Sequence, residues 1–273
     1  MNLVLYHSAY STCSQKVRLT LAEKGLDYTS KELSFRKKEH LDPEYLALNP
    51  SGVVPTLVHD DAVITDSSVI VEYLDECFPK PALCPPSAVG RARVRTWMRF
   101  MEEVPTKAIR VPSFERVFLP SLRLISGRRS FDQETQQRSL RRGFYEKMNH
   151  GDGFDRRELE ESRRLLQMTT DRLEAALAEG PWVLGAQLTL VDLTLAPLLD
   201  RMLDLGLTEH VANAPRTAAW MQRLQSRPSY EAAFYRGSRL SDRLEFKFAR
   251  VRSWLQTRFS STATNAPETS TCD

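Results

Sequence analysis

The residues best suited to chemistry stand near the start of the chain, in Ser11-Thr12-Cys13-Ser14-Gln15-Lys16-Val17-Arg18. A short apolar run, Leu3 to Tyr6, precedes them, and a helical stretch from Ser14 to Lys24 follows, closed by Gly25 in the position of a C-terminal cap. Hydroxyls, a thiol and backbone amides therefore gather at the positive end of a helix, where negative charge is favoured. A thiol of ordinary pKa, about 8.5, ionises near neutrality only with such help, at a cost of about 1.4 kcal/mol for each pH unit. The thiolate is either that of Cys13 or that of a bound ligand. The plain alternative is that Ser11, Thr12 and Ser14 only cap the helix while Cys13 packs inside.

Two more features have the same flavour. Asp66-Ser67-Ser68 opens a second helix, where the amide and hydroxyl of Ser67 can hold a carboxylate, with simple capping as the alternative. Val53-Val54-Pro55 opens a strand, and a cis Val54-Pro55 bond would turn the Val54 backbone outward to pair with an extended peptide. Together the three suit a short, anionic, thiol-bearing peptide.

The elements that must position them follow from periodicity. Leu3–Tyr6, Tyr28–Leu33, Val54–His59 and Ala62–Thr65 read as strands, the last two as a hairpin about Asp60 and Asp61. Helices fit 14–24, 43–48 and 67–78, so the order is β-α-β-α-β-β-α. Pro79, Pro81, Pro85 and Pro86 mark a linker. Beyond it only helical windows remain, at 91–104, 159–178, 190–205 and 216–226. The chain is thus expected to hold an α/β domain over 1–80, a linker over 81–90, and an all-α domain over 91–258. Within the latter, the polar, basic segment of about 105–155 reads as loop with short helix. Leu240, Leu244, Phe248, Val251, Leu255 and Phe259 recur at the period of an amphipathic helix whose other face is basic; packing on its own domain is favoured over a membrane surface. The tail 260–273 is expected to be disordered.

Composition excludes much. With 273 residues, 41% hydrophobic and 27% charged, the chain is an ordinary globular one large enough for two cores. It has no run of roughly 18 apolar residues and no signal-like start, so a cytoplasmic location is expected. Four scattered cysteines, without CxxC spacing, suggest neither a disulfide scaffold nor a metal site. The net charge of +3 hides two basic windows, 107–147 with ten Lys/Arg against four Asp/Glu, and 236–258 with seven against two. Without aromatic interleaving or a recognisable module, these read as solvated helix faces, and no nucleic-acid partner is expected.

At the level of whole motifs the chain resembles the glutathione transferases. S-T-C-S-Q-K-V-R-L-T-L-A-E-K-G is similar to the serine/cysteine motif of zeta-like members, L-N-P-S-G-V-V-P-T-L to the cis-proline segment, and D-S-S-V-I-V-E-Y-L to the γ-glutamyl-binding motif. P-W-V-L-G-A-Q-L-T-L-V-D resembles the capping box of the family's buried helix, with Thr189 and Asp192 as its partners, and P-R-T-A-A-W-M-Q-R-L-Q-S-R-P-S resembles its terminal helix. Bacterial β-etherases, reductive dehalogenases and ganglioside-induced differentiation-associated proteins share further features with it.

The resemblance implies a thioredoxin-like domain that binds glutathione as co-substrate, a helical domain that receives a hydrophobic electrophile, no metal, and a homodimer. It implies that Ser11 meets the glutathione sulfur, that Val54 pairs with the cysteinyl backbone before cis-Pro55, that Asp66 and Ser67 take the γ-glutamyl carboxylate, and that His40 meets the glycyl carboxylate. Cys13 falls near the cysteine of the reductive dehalogenases, so both Ser11 and Cys13 stand as candidates. Asp66 is one methylene shorter than the usual Glu or Gln, and Tyr6 is not given the catalytic role found in tyrosine-type classes. By position, Trp97, Phe100, Met101 and the insertion are expected to supply the co-substrate pocket. The activity implied is a glutathione S-transferase. The rival readings are Cys13-dependent thiol/disulfide or reductive dehalogenation chemistry, and a non-catalytic binding module.

Overall fold

Strand β1 (Leu3–His7) buries alternate side chains, Leu3, Leu5 and His7, as the two-residue period demands when one face meets a core. In the computed structural model, which describes residues 2–120, 144 and 153–243, three strands join it: β2 (Thr29–Glu32), β3 (Thr56–His59) and β4 (Ala62–Thr65), in the order β2-β1-β3-β4. The β1 and β2 strands are parallel, so the chain must cross over between them, and α1 (Thr12–Glu23) is the crossover. A hairpin joins β3 to β4 through Asp60, whose φ of 51° its short polar side chain tolerates. With α2 (Pro43–Leu48) and α3 (Ser67–Cys77) the predicted β-α-β-α-β-β-α order is the observed one. The ladder of β3 starts at Thr56 rather than Val54 because Pro55 has no N–H to contribute.

The remaining described elements are helical. The first, α4 (Ala88–Glu103), is capped by Ser87, whose Oγ accepts from the Gly90 amide at 3.0 Å. The chain then continues through α5 (Pro105–Ala108), α6 (Arg110–Ser113) and a wide helical turn over Phe114–Phe118. Loop with short helix was expected from 105 onward; over 105–118 the short helices are present, and Ala108, Ile109, Val117 and Leu119 find apolar partners that hold them. Of the rest of the expected insertion, 121–143 and 145–152 lie outside the described residues.

Helix α7 (Arg156–Ala176) begins three residues before its predicted start, at a capping box: the Glu158 amide donates to Asp155 Oδ1 at 2.8 Å and the Asp155 amide to Glu158 Oε2 at 3.0 Å. Helix α8 (Leu190–Asp204) is buried along nearly its whole length, and α9 (Pro215–Gln225) and the short α10 (Pro228–Ala233) pack around it and α1. The expected box at Thr189 and Asp192 is present. The Asp192 carboxylate accepts from the Thr189 amide and hydroxyl, the Val183 amide and the Trp220 indole, at 2.8 to 3.0 Å. Burial pushes its pKa up, yet four converging donors suit only an acceptor.

Leu240 to Arg243, read as the first turn of an amphipathic helix, form a non-helical turn. The Asp204 carboxylate takes up the Leu240 and Ser241 amides at 2.8 and 3.0 Å, and the Arg243 amide closes the turn on the Leu240 carbonyl at 3.3 Å. The expected helix beyond 243 and the tail 260–273 lie outside the described residues. Among the described residues no helix is long and apolar enough to cross a membrane.

Candidate functional site

Strand register decides what the three motifs can do together. Tyr6 pairs with Thr56, and Thr56 with Thr65. The loop leaving β1, the Val54-Pro55 segment entering β3 and the Asp66-Ser67 step leaving β4 therefore open at one end of the sheet.

Each loop is locally built. Ser11 caps α1, its Oγ accepting from the Ser14 amide at 3.3 Å, and Cys13, half-buried and free of disulfide, sits in the first turn. The Val54-Pro55 bond is cis. Its segment is held from below by Val53, whose carbonyl accepts from the Tyr45 hydroxyl at 2.5 Å and from Asn49 Nδ2 at 2.9 Å; burial raises the Tyr45 phenol to about 12. Among the described residues the Val54 amide and carbonyl make no protein hydrogen bond. Asp66, at φ 70°, turns back to cap α3, its Oδ1 accepting from the amides of Ser68 at 2.8 Å and Val69 at 3.3 Å, while Ser67 is buried beside it.

Beneath the β1–α1 loop lie buried charges. Lys16 donates to Glu102 Oε1 of α4 at 2.7 Å, and the same oxygen accepts from Ser68 Oγ at 3.0 Å. Burial alone would lower the Lys16 ammonium; Cys13, Glu102 and Asp66 around it more than offset that and leave it above the usual lysine value. Arg201 of α8, also buried, donates to the Tyr10 carbonyl and feels Asp204, Asp200 and Cys13. Arg18 ties the carbonyls of Ser8 (3.2 Å) and Ala9 (2.8 Å) to that of Ala233 at the end of α10 (3.0 Å). His7, against Arg18 on one ring nitrogen and Ser30 on the other, has its pKa lowered to about 4 by burial and by the Arg18 charge. The loop is thus clamped between a sheet and a helical layer, with positive charge underneath.

The two family profiles that match are described as the N-terminal domain of glutathione S-transferase, over residues 10–77, and its C-terminal domain, over residues 157–223. The chain belongs to the glutathione S-transferase superfamily. It is 28% identical to "Glutathione S-transferase TCHQD" of Arabidopsis thaliana over 92% of this chain and 98% of that one. It is also 28% identical to the tetrachloro-p-hydroquinone reductive dehalogenase of Sphingobium chlorophenolicum, over 84% and 94%. Among solved structures, the β-etherase LigF of Sphingobium sp. strain SYK-6 superposes with a TM-score of 0.77 at 25% identity, covering 86% of this chain and 99% of that one.

Within this transferase fold the motif residues fall into two groups. Ser11, Cys13, Val54, Pro55, Asp66 and Ser67 occupy the shared end of the sheet. His40 stands in a 3-10 turn rather than at a strand end, buried, its ring edge-on to Phe35 with centroids 4.8 Å apart; through Phe35, which is 5.6 Å from Tyr10, it belongs to an aromatic row. Trp97 and Met101, expected to line the co-substrate pocket, are core side chains at 7% and 0% exposure: Trp97 meets Arg172 of α7 and Met101 meets Thr194 of α8. Phe100 is roofed with Trp97 by the Arg172 guanidinium, at 4.1 and 4.4 Å. Aromatic side chains do border the β1–α1 loop elsewhere, since Tyr10 meets Phe118 at 6.0 Å and the Arg243 guanidinium at 4.9 Å. Sequence reasoning missed Lys16, Arg18 and Arg201; the first two stand inside the motif itself, but their partners come from helices far along the chain.

Proposed function

We propose that the protein is a glutathione transferase that binds glutathione across the shared end of the sheet and uses its thiolate against a hydrophobic electrophile. The observation that carries this reading is the register alignment of the Ser11, Val54-Pro55 and Asp66-Ser67 loops. In this reading the Ser11 hydroxyl and the first amides of α1 hold the ionised sulfur, an arrangement whose donors are in place before the charge develops. Val54 pairs with the peptide backbone beside Pro55. The Ser67 amide and hydroxyl, at the start of α3 and next to Asp66, take the γ-glutamyl carboxylate, and His40 acts on the glycyl end from behind the Phe35 ring. The 1–80 and 91–258 regions act as glutathione and electrophile domains, in the cytoplasm. A relative named as a tetrachloro-p-hydroquinone reductive dehalogenase supports an aromatic electrophile, and a neighbour named as a β-etherase supports an ether as a second class. A homodimer is supported by apolar side chains left exposed on neighbouring elements, Val63 of β4 (44%), Val69 of α3 (55%) and Val89 of α4 (67%).

A second reading has a specific observation behind it: Cys13 lies in the same helical turn, within electrostatic reach of Lys16 and Arg201. There Cys13 attacks oxidised glutathione, forming a mixed disulfide and releasing one glutathione thiolate. Turnover of an aryl halide and an aryl ether panel separates the two. Ser11→Ala lowering turnover about tenfold or more, with Cys13→Ser near unchanged, supports the first; the reverse pattern, with a glutathione adduct at Cys13 by mass spectrometry, supports the second.

A further inference from the structure

We infer that Lys16 is a positioning residue of the glutathione site: its buried ammonium, clamped by Glu102 from α4, sets the positive field at the sulfur held over the start of α1. The inference rests on the glutathione reading and deepens it. Lys16 lies three residues after Cys13 on α1, so the two share a helix face, and its side chain has no solvent exposure. Its position is fixed rather than averaged. One oxygen of Glu102 meets both Lys16 Nζ and Ser68 Oγ, so a single carboxylate fastens α1, α3 and α4 together at the point where both helix starts face the proposed ligand. A charge held still and away from solvent ions acts at longer range than a surface lysine does.

The groups that face Lys16 are Cys13 on its own helix, Glu102 on α4 and Asp66 at the start of α3, while Arg201 on α8 adds a second buried cation to the Cys13 surroundings. The Asp66 carboxylate is engaged as a helix cap, and Glu102 is one-third exposed to water. Lys16 and Arg201 are thus the fully buried cations facing the first turn of α1, each paired with a carboxylate: Glu102 on Lys16 at 2.7 Å, and the equally buried Asp204 on Arg201 at 3.7 Å. An anion gains from them there, and Glu102 tempers the gain. A mere interdomain fastener would stabilise the fold without touching the ionisation of a bound thiol.

The test is a pH titration of thiolate absorbance for the full chain saturated with glutathione, with S-methyl glutathione as blank, in the unaltered protein and in Lys16→Met, Lys16→Arg and Glu102→Gln. The expected result is a midpoint raised by about one pH unit in Lys16→Met, restored in Lys16→Arg, and lowered by a smaller amount in Glu102→Gln. Thermal unfolding run alongside identifies a variant that has not folded; should Lys16→Met be that variant, Glu102→Gln decides by the direction of its shift. Midpoints that stay put while the unaltered protein gives a normal saturable signal overturn the inference alone. No saturable signal in the unaltered protein removes the glutathione reading, and the inference falls with it.

Discussion

Helices α1 and α8 both bury charge, and they handle it differently. In α8 the Asp192 carboxylate is met by four protein donors from three separate segments, and nothing is left over for a ligand. In α1 the buried Lys16 and Arg18 are also tied down, but Lys16 is held by Glu102 of α4 and Arg18 by the Ser8 and Ala9 carbonyls of the loop that opens the site, and in the proposed reading the Lys16 charge acts on the first turn of the helix. A buried charge satisfied all round serves packing and fold. One satisfied on one side, beneath a helix start, can serve chemistry.

The largest expected effect tests the first half of that contrast. Asp192→Ala leaves the Trp220 indole and three other donors without a buried partner, and should lower unfolding stability by about 4 kcal/mol in urea titration, while turnover per folded molecule is kept. A loss below about 1 kcal/mol would make the α8 network ornamental.

The next effect concerns His7, on the α1 side. Its ring titrates near 4 in the folded protein against 6.5 when free, so the unfolded chain takes up the proton first as pH falls. Stability is unaffected above 6.5 and is lost between 6.5 and 4, by about 3 kcal/mol in full. His7→Gln should flatten that part of the pH profile; an unchanged slope would move the acid sensitivity elsewhere.

A smaller effect separates chemistry from stability. Ser11→Ala removes one weak cap bond, 3.3 Å long, so melting should shift by no more than a few degrees while turnover falls about tenfold or more. The smallest is a control: Glu161→Gln breaks an exposed pair with Arg164 and should leave both melting and turnover unchanged.

Much of this was legible in the sequence because the signals are local. Asp66 and Ser67 announce the start of α3, Pro55 stops the β3 ladder, and Thr189 and Asp192 foretell their own hydrogen bonds. What stayed hidden depends on distant partners. Nothing near Lys16 or Arg18 says that Glu102 and Ala233 will cover them, and by pattern alone α4 gives no sign that Trp97 and Met101 turn inward rather than toward a pocket. His40 was placed by motif position only, and its burial behind Phe35 is a tertiary fact. The start of α7 was readable after all, since Asp155 and Glu158 stand at capping-box spacing.

The central claim is that three loops at one end of the sheet form a single peptide site, and glutathione titration by calorimetry addresses it most directly. The expected result is saturable binding to the unaltered chain, weakened about tenfold by Ser67→Ala at the start of α3, with the thiolate absorbance signal lost in Ser11→Ala at the start of α1. Absence of binding at millimolar glutathione, or binding indifferent to both replacements, would contradict it.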